Sequence, residues 1–315
     1  MTRLADLNVV VQVYAITVAV SMRAGKWYLD HAESPLFSFS TIAMDTALIA
    51  DLVGTVIIFI SSVLLNNSSM YDAFWSAIPI FLGCYWLGDR GFEALVAEPG
   101  YERRLLVFAV LFVWGNRLTY NWARSWEGFK HEDWRYVEVF QKRTKPAVRY
   151  WVESFLGIHV FPTVIVFAAM VPCYWILHDP EGSQAKALSV WDYAGAILGF
   201  AASTIQWIAD NQLRDFRKDS GSAGRVLDSG LWSWSRHPNY FGEICHWFSY
   251  ILFSIGAFGK DAALHRSGGA VAIGCLFVFA SVPMMEERMR ASRQAKWAAY
   301  TKRTYSSLIP LPPRT

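Results

Sequence analysis

Residues 154–177 read SFLGIHVFPTVIVFAAMVPCYWIL, 24 positions without a single Asp, Glu, Lys or Arg. A helix rises about 1.5 Å per residue, so about 20 apolar residues cross the hydrocarbon core of a bilayer. Leu52–Tyr71 and Ser267–Met285 are equally free of charge over 20 and 19 residues. Four shorter uncharged runs, Leu7–Met22, Ala73–Gly88, Tyr193–Ala209 and Ile244–Gly259, have 16 or 17 residues each. Leu105–Asn116 is an eighth candidate, provided Arg117 is tolerated inside a bundle. A soluble helix buries one stripe and shows a polar face, whereas these runs are apolar all round. The expected fold is therefore all-α, a polytopic transmembrane helix bundle of seven or eight spans.

Composition agrees. Only 17% of the 315 residues are charged, against roughly 25% in soluble chains. The formal net charge of +3 gives no support to nucleic-acid binding. Lys and Arg are retained on the cytoplasmic side of a membrane. With eight spans, twenty of them fall on one side: Arg3, seven in 124–150, five in 214–236 and seven in 286–315. The other side holds eight, namely Arg23, Lys26, Arg90, Arg103, Arg104, Lys186, Lys260 and Arg266. Both termini and the two long loops are thus expected in the cytoplasm, where the loops meet anionic lipid or a phosphorylated ligand. The apolar run near the amino terminus lacks a small-residue cleavage site and reads as a span. Cys84, Cys173, Cys245 and Cys275 lie in apolar segments without CxxC spacing, as small buried hydrophobes do. The seven histidines form no HxxxH or HxxE set, so no metal is expected.

No internal repeat divides the chain. Residues 1–150 are read as amino-terminal spans plus a basic loop, Arg124–Arg149, rich in aromatics (Trp126, Phe129, Trp134, Tyr136, Phe140). Such a loop suits the headgroup level better than a disordered linker. Residues 151–315 are read as a second, cofactor-binding domain.

Within that half the polar residues are concentrated between Asp210 and Glu243. Asp210, Arg214 and Arg217 follow the sixth apolar run at i, i+4 and i+7, one helix face. Ionisable groups at the edge of lipid are expensive and usually serve a ligand. The glycine-bearing loop Ser220-Gly221-Ser222-Ala223-Gly224-Arg225 lets backbone N–H groups approach a phosphate. Then comes Ser235-Arg236-His237-Pro238-Asn239-Tyr240-Phe241-Gly242-Glu243. Pro238 suits the first turn of a helix, whose positive end is an anion site with Arg236 and His237 just ahead of it. Asn239, Glu243 and His246 share a face. Glu243, at the head of an apolar span, needs a partner: an amide or ribose hydroxyl of a ligand, or Arg214 or Arg217 of the neighbouring helix.

The order Asp-x3-Arg-x2-Arg followed by Gly-Leu-Trp-x-x-Ser-Arg-His-Pro-Asn-Tyr-Phe-Gly-Glu resembles the C-terminal domain of the steroid 5α-reductase family, closest to its DUF1295 branch. Asn116–Trp122 and the tail Glu286-Glu287-x-x-Arg290…Tyr300…Ile309-Pro310 fit the same likeness. The resemblance implies NADPH among the carboxy-terminal spans. Asp210, Arg214 and Arg217 would hold its polar groups, with Arg225 on phosphate beside Arg236, His237 and Tyr240. Asn239 and Glu243 would meet the nicotinamide or ribose end, and Arg293 and Tyr300 would close the site. Bidentate arginine suits the phosphates. Gln206 stands where the family often has Asn. The family's substrate-polarising Glu and Tyr have no matching motif. Asp45, Asp51 and Tyr85 occupy comparable span positions, and Arg117 and Asn121, at i and i+4 of the fourth span, are the candidate catalytic, cavity-lining pair.

The implied activity is NADPH-dependent reduction of an activated C=C bond in a lipid taken from the bilayer. The alternative is an S-adenosylmethionine-dependent methyltransferase of the isoprenylcysteine or phospholipid type, which shares Arg236-His237-Pro238-x-Tyr240-x-Gly242 and the Glu286-Glu287 pair. A third reading is a non-enzymatic lipid-binding or scaffold protein. The expected location is the endoplasmic reticulum for a eukaryotic chain and the plasma membrane for a bacterial one.

Overall fold

The computed structural model describes residues 3–88, 100–141, 147–178, 187–222 and 224–314. Arg90, Lys142, Arg143, Lys145 and Lys186 of the charge count, and Ala223 of the glycine loop, lie outside these residues. Among the described residues there are helices and turns and no strand, and the chain is a helical membrane bundle. It forms two compact units. Residues 1–96 and 118–170 make one, residues 97–117 and 171–315 the other.

In the first unit α1 (Arg3–His31) and α2 (Ile42–Leu65) pack closely along small residues. A Cβ on Gly25 would stand 3.2 Å from the Thr46 carbonyl oxygen, and one on Gly54 2.9 Å from Ser21 Oγ. Small side chains let membrane helices approach this far. The charge-free run Leu52–Tyr71 is not itself the helix. Thr41 Oγ1 caps α2 by accepting the Met44 N–H at 3.2 Å, and Asn66 ends it in the left-handed region at φ 51°. Asp45 is tolerated in the first turn because its Oδ2 accepts the Leu36 N–H (2.6 Å) and the Ser40 hydroxyl (3.0 Å). After a 3₁₀ turn, Ser68–Tyr71, comes α3 (Phe74–Gly88). The helix α4 (Tyr101–Ser125) follows, and α5 (Val148–Ala169) carries His159 and Thr163 inward. His159 Nε2 meets Ser62 Oγ at 3.1 Å, and Thr163 Oγ1 meets Thr55 and Tyr71 hydroxyls at 2.7 Å each.

The aromatic loop after α4 is tied down. Arg3 donates to the Trp126 and Ala123 carbonyls, Asn67 to those of Phe129 and His131, and Glu132 accepts the Ser68 N–H. Tyr136 donates to Asp72 at 2.6 Å. Burial pushes the Asp72 carboxyl up to about 6 from 3.8, against the pull of Arg135 and with the repulsion of Asp133. The folded protein therefore binds this proton more tightly than the unfolded chain. Its contribution to stability is complete below pH 3.8 and is lost as pH rises through about 6. Apparent Tm is expected to fall between those limits in the wild type and to be flatter across them in Asp72→Asn. Parallel profiles would contradict the assignment.

The second unit holds α6 (Val171–Leu177), α7 (Val190–Lys218), α8 (Pro238–Phe258), α9 (Lys260–Arg266) and α10 (Gly268–Arg303), with the first turns of α4. Pro238 opens α8 at its first position, as its missing N–H allows. Gly195 and Gly199 of α7 and Gly242 of α8 mark close approach: a Cβ on Gly242 would stand 2.9 Å from the Ala202 carbonyl oxygen. Among the described residues four helices, α1, α2, α5 and α10, are long and apolar enough to cross a membrane. The other helices differ from the uncharged runs for local reasons. The run Ser154–Leu177 is divided at Met170, ahead of Pro172, leaving α6 only seven residues long. α3 has 15 residues, while α4, α7 and α8 are long but carry the buried polar side chains described next.

Candidate functional site

The second unit gathers its buried polar groups between α4, α7 and α8. The apolar α4 brings in Trp114 and Arg117, three residues apart and so on one face. α7 presents Ser203, Gln206, Asp210 and Arg214 along another. Arg117 Nη1 donates to Asp210 Oδ2 at 2.9 Å, with the two side chains 7% and 12% exposed. Asn239 Nδ2 donates to Asp210 Oδ1 at 3.3 Å.

One turn into α8, the Glu243 carboxylate is enclosed by three neutral donors. Trp114 Nε1 lies at 3.0 Å, Gln206 Nε2 at 2.7 Å and Trp247 Nε1 at 2.9 Å. An ion pair with Arg214 or Arg217, the alternative to a ligand partner, is not how its bonds are satisfied. Three N–H groups stabilise a buried carboxylate without a contacting cation. His246 stacks on Trp114, with centroids 4.6 Å apart and rings 10° from parallel, and its Nε2 meets Tyr250 Oη at 3.1 Å. Several polar atoms of this seam are buried with no hydrogen-bond partner: Arg117 Nε, Arg214 Nε, Gln206 Oε1 and Ser203 Oγ. Two cationic donors and two uncharged groups thus have no protein partner here.

A second cluster forms where the loop after α7 meets the end of α10. Arg225, Lys296, Arg303 and Tyr300 line a pocket of about 360 Å³ with Val226, Asp228 and Ala299. Arg293 Nε donates to the Arg225 carbonyl at 2.8 Å and Tyr300 Oη to that of Trp232 at 2.6 Å. Arg225 reaches Asp219 at 3.3 Å, and Arg303 is paired with Asp228. Three cations against one carboxylate in the lining make this pocket electropositive.

Arg236 has a different duty. Its Nε donates to Glu286 Oε1 at 2.7 Å and its Nη1 to the Thr304 and Tyr305 carbonyls at 2.9 and 2.7 Å. The backbone N–H groups of Arg236 and His237 bond to Ser306 and Ser307 carbonyls, and Leu311 N–H to that of Trp234. Arg236 thus latches the tail onto the segment ahead of α8. His237 lies 3.5 Å from Glu286 and stacks on Tyr240, which in turn meets Phe277. Arg217 is exposed at the end of α7. Asn121 belongs to the first unit, where its Oδ1 accepts Arg124. The structure therefore collects Arg117, Asp210, Asn239 and Glu243 in one seam, with Arg214 one turn further along α7 and 3.4 Å from Asp215. It places Arg225 and Tyr300 in the lining of one pocket, where Arg293 bonds the Arg225 carbonyl. Sequence reasoning missed Trp114, Trp247, Lys296 and Arg303. Trp114 and Trp247 carried a signal, their i, i+3 and i, i+4 spacing to Arg117 and Glu243.

The family described as a protein of unknown function, DUF1295, matches residues 58–304, which include every helix of this seam. The chain belongs to the DUF1295 family. A relative in Schizosaccharomyces pombe, the uncharacterized protein C594.04c, is 28% identical over 263 residues, covering 76% of this chain and 72% of the other. The steroid 5-alpha-reductase DET2 of Gossypium hirsutum is 25% identical over 105 residues, 30% of this chain and 40% of the cotton protein. The likeness of this DUF1295 chain to steroid 5α-reductases is thus local and distant. No solved structure matches the chain.

Proposed function

We propose that this protein is a membrane reductase that uses NADPH to reduce an activated C=C bond in a lipid. The observation that carries the reading is the seam itself: buried Arg, Asp, Gln and Glu side chains, several with hydrogen-bonding atoms that lack a protein partner, in the same unit as a pocket lined by three cations. Ionisable groups are kept in such places at a cost, for function. The local similarity to a steroid 5-alpha-reductase supports the reaction class.

The residues fit the cofactor's chemistry. Arg225, Lys296 and Arg303 suit phosphate, Arg214 and Arg217 the adjoining polar groups, and Gln206 Oε1 with Ser203 Oγ a carboxamide. From Gln206 to Arg217 the helix runs about 16 Å at about 1.5 Å per residue, suited to an elongated dinucleotide. Bound there, NADPH would supply the hydride that a conjugated double bond accepts at its β-carbon. Arg117 and Asp210 hold α4 and α7 in register beside it, and the surrounding apolar helices exclude water, which strengthens every dipole acting on a developing enolate.

The methyltransferase alternative has one observation on its side, the cluster of Glu286 with Arg236 and His237. Against it stand the cations at 214, 217 and 225, which suit a dinucleotide's phosphates better than a sulfonium. Thermal-shift titration of the purified protein with NADPH and with S-adenosylmethionine separates the two. NADPH is expected to raise Tm, and Arg217→Ala or Arg225→Ala to weaken its binding by about 1.5–3 kcal/mol, the worth of one charged hydrogen bond. Stabilisation by the methyl donor alone would overturn the reductase. Stabilisation by neither would leave a scaffold.

A further inference from the structure

One cavity lies wholly within the first unit and uses none of the residues of the charged seam. It measures about 720 Å³, inside the range of roughly 300–1,000 Å³ typical of small-molecule sites. Three helices line it: α1 with Val18, Met22 and Leu29, α2 with Ala47, and α3 with Ile78 and Phe81 among others. Its α1 and α2 walls, residues 18–50, precede the segment 58–304 that matches the family.

One polar feature interrupts the apolar wall. Ser21 also belongs to the lining, but its hydroxyl is turned to Gly54 in the packing seam of α1 and α2 and does not face the cavity. Arg23 and Lys26 stand on the same stretch of α1 and line the cavity. Lys26 is engaged with Asp30 at 3.0 Å, whereas Arg23 is exposed and has no ionic partner among the described residues. A cation on a membrane helix stretches its charged end toward the polar boundary along an apolar stem.

We propose that this cavity binds an amphiphile with an anionic head, a carboxylate or phosphate on a single apolar body. Arg23 meets the charge, and the apolar wall between α1 and α3 takes the body. The close approach of Gly25 to Thr46 and Ala50 keeps α1 and α2 together at one edge of the cavity. The cavity shares no residue with the proposed cofactor site, and the two readings stand or fall separately.

The test is photo-crosslinking of the full-length protein in detergent with an oleate carrying a diazirine on its chain, followed by peptide mapping. Adducts are expected within 18–29, 46–50 and 78–85, and excess unlabelled oleate should reduce them at least fivefold. Ala19→Trp, at an exposed position on the cavity wall, should remove them while leaving Tm within a few degrees. Should that variant fold poorly, Arg23→Gln provides the second arm, with half-saturation for oleate raised about tenfold, or about 1.4 kcal/mol. Labelling spread over the outward faces of all helices and indifferent to competitor would overturn the site. Equal labelling by the matching uncharged alcohol, unchanged in Arg23→Gln, would overturn the anionic head. Neither outcome bears on NADPH binding, which is read separately by thermal shift.

Discussion

Replacing Asp192 with alanine is expected to destabilise the protein by about 3–5 kcal/mol, the range for breaking a buried ion pair by removing one partner. Arg103 and Asp192 are both 0% exposed and bonded twice, Nε to Oδ1 at 2.6 Å and Nη2 to Oδ2 at 3.0 Å. Asp192 also closes the amino terminus of α7, accepting the Ser189 N–H at 2.7 Å and the Ser189 hydroxyl at 2.8 Å. Alanine would leave a guanidinium in the bundle without its counter-charge and remove a cap worth about 0.5–2 kcal/mol. The effect should appear as a large fall in Tm in detergent. Arg103→Met with Asp192→Leu should recover most of it, because apolar replacement of a whole buried pair is often neutral or better. NADPH affinity should be unaltered in the folded double variant, since Asp192 lies 18 residues from Asp210 on α7. A single variant with wild-type Tm, or a double variant no better than the single, would contradict this account.

Arg103 and Asp192 also show what a sequence can and cannot convey. The uncharged runs announce helices in lipid because charge there is so costly, and those regions are helical. Helix ends were less legible. The run Leu52–Tyr71 stops as a helix at Leu65 because Asn66 turns left-handed, and α2 begins ten residues before the run because Thr41 caps it and backbone groups satisfy Asp45. In the site, periodicity placed Asp210 and Arg214 on one face of one helix. Their partners come from other helices: Arg117 is 93 positions from Asp210. The clue available was an arginine inside an apolar helix, which must find an acceptor. Glu243 was expected to need a ligand or a cation, yet two indoles and an amide satisfy it, because neutral N–H donors suffice when three converge. Arg236 was assigned to the cofactor, and its guanidinium meets Glu286 and two backbone carbonyls of the tail. Backbone acceptors carry no residue identity, so no motif could have revealed that latch.

Arg117→Met should be the most informative change in the seam, costing about 3 kcal/mol of stability, the low end for a buried pair because neither side chain is fully enclosed. The pair serves packing alone, joining α4 to α7, or it also orients Asp210 and the unpartnered Arg117 Nε for a ligand. The double variant Arg117→Met, Asp210→Asn separates the roles. It removes both charges while the new amide at position 210 stays beside Asn239, so stability should return to within about 1 kcal/mol of wild type, the scale of an ordinary hydrogen bond. If the seam binds the cofactor, NADPH affinity should remain at least tenfold weaker in that double variant. Recovery of both stability and affinity would make the pair a structural clasp and move the cofactor toward the pocket lined by Arg225, Lys296 and Arg303. An Arg117→Met protein as stable as wild type would contradict the burial argument itself. Each result selects a different chemistry for the same few ångströms between α4, α7 and α8.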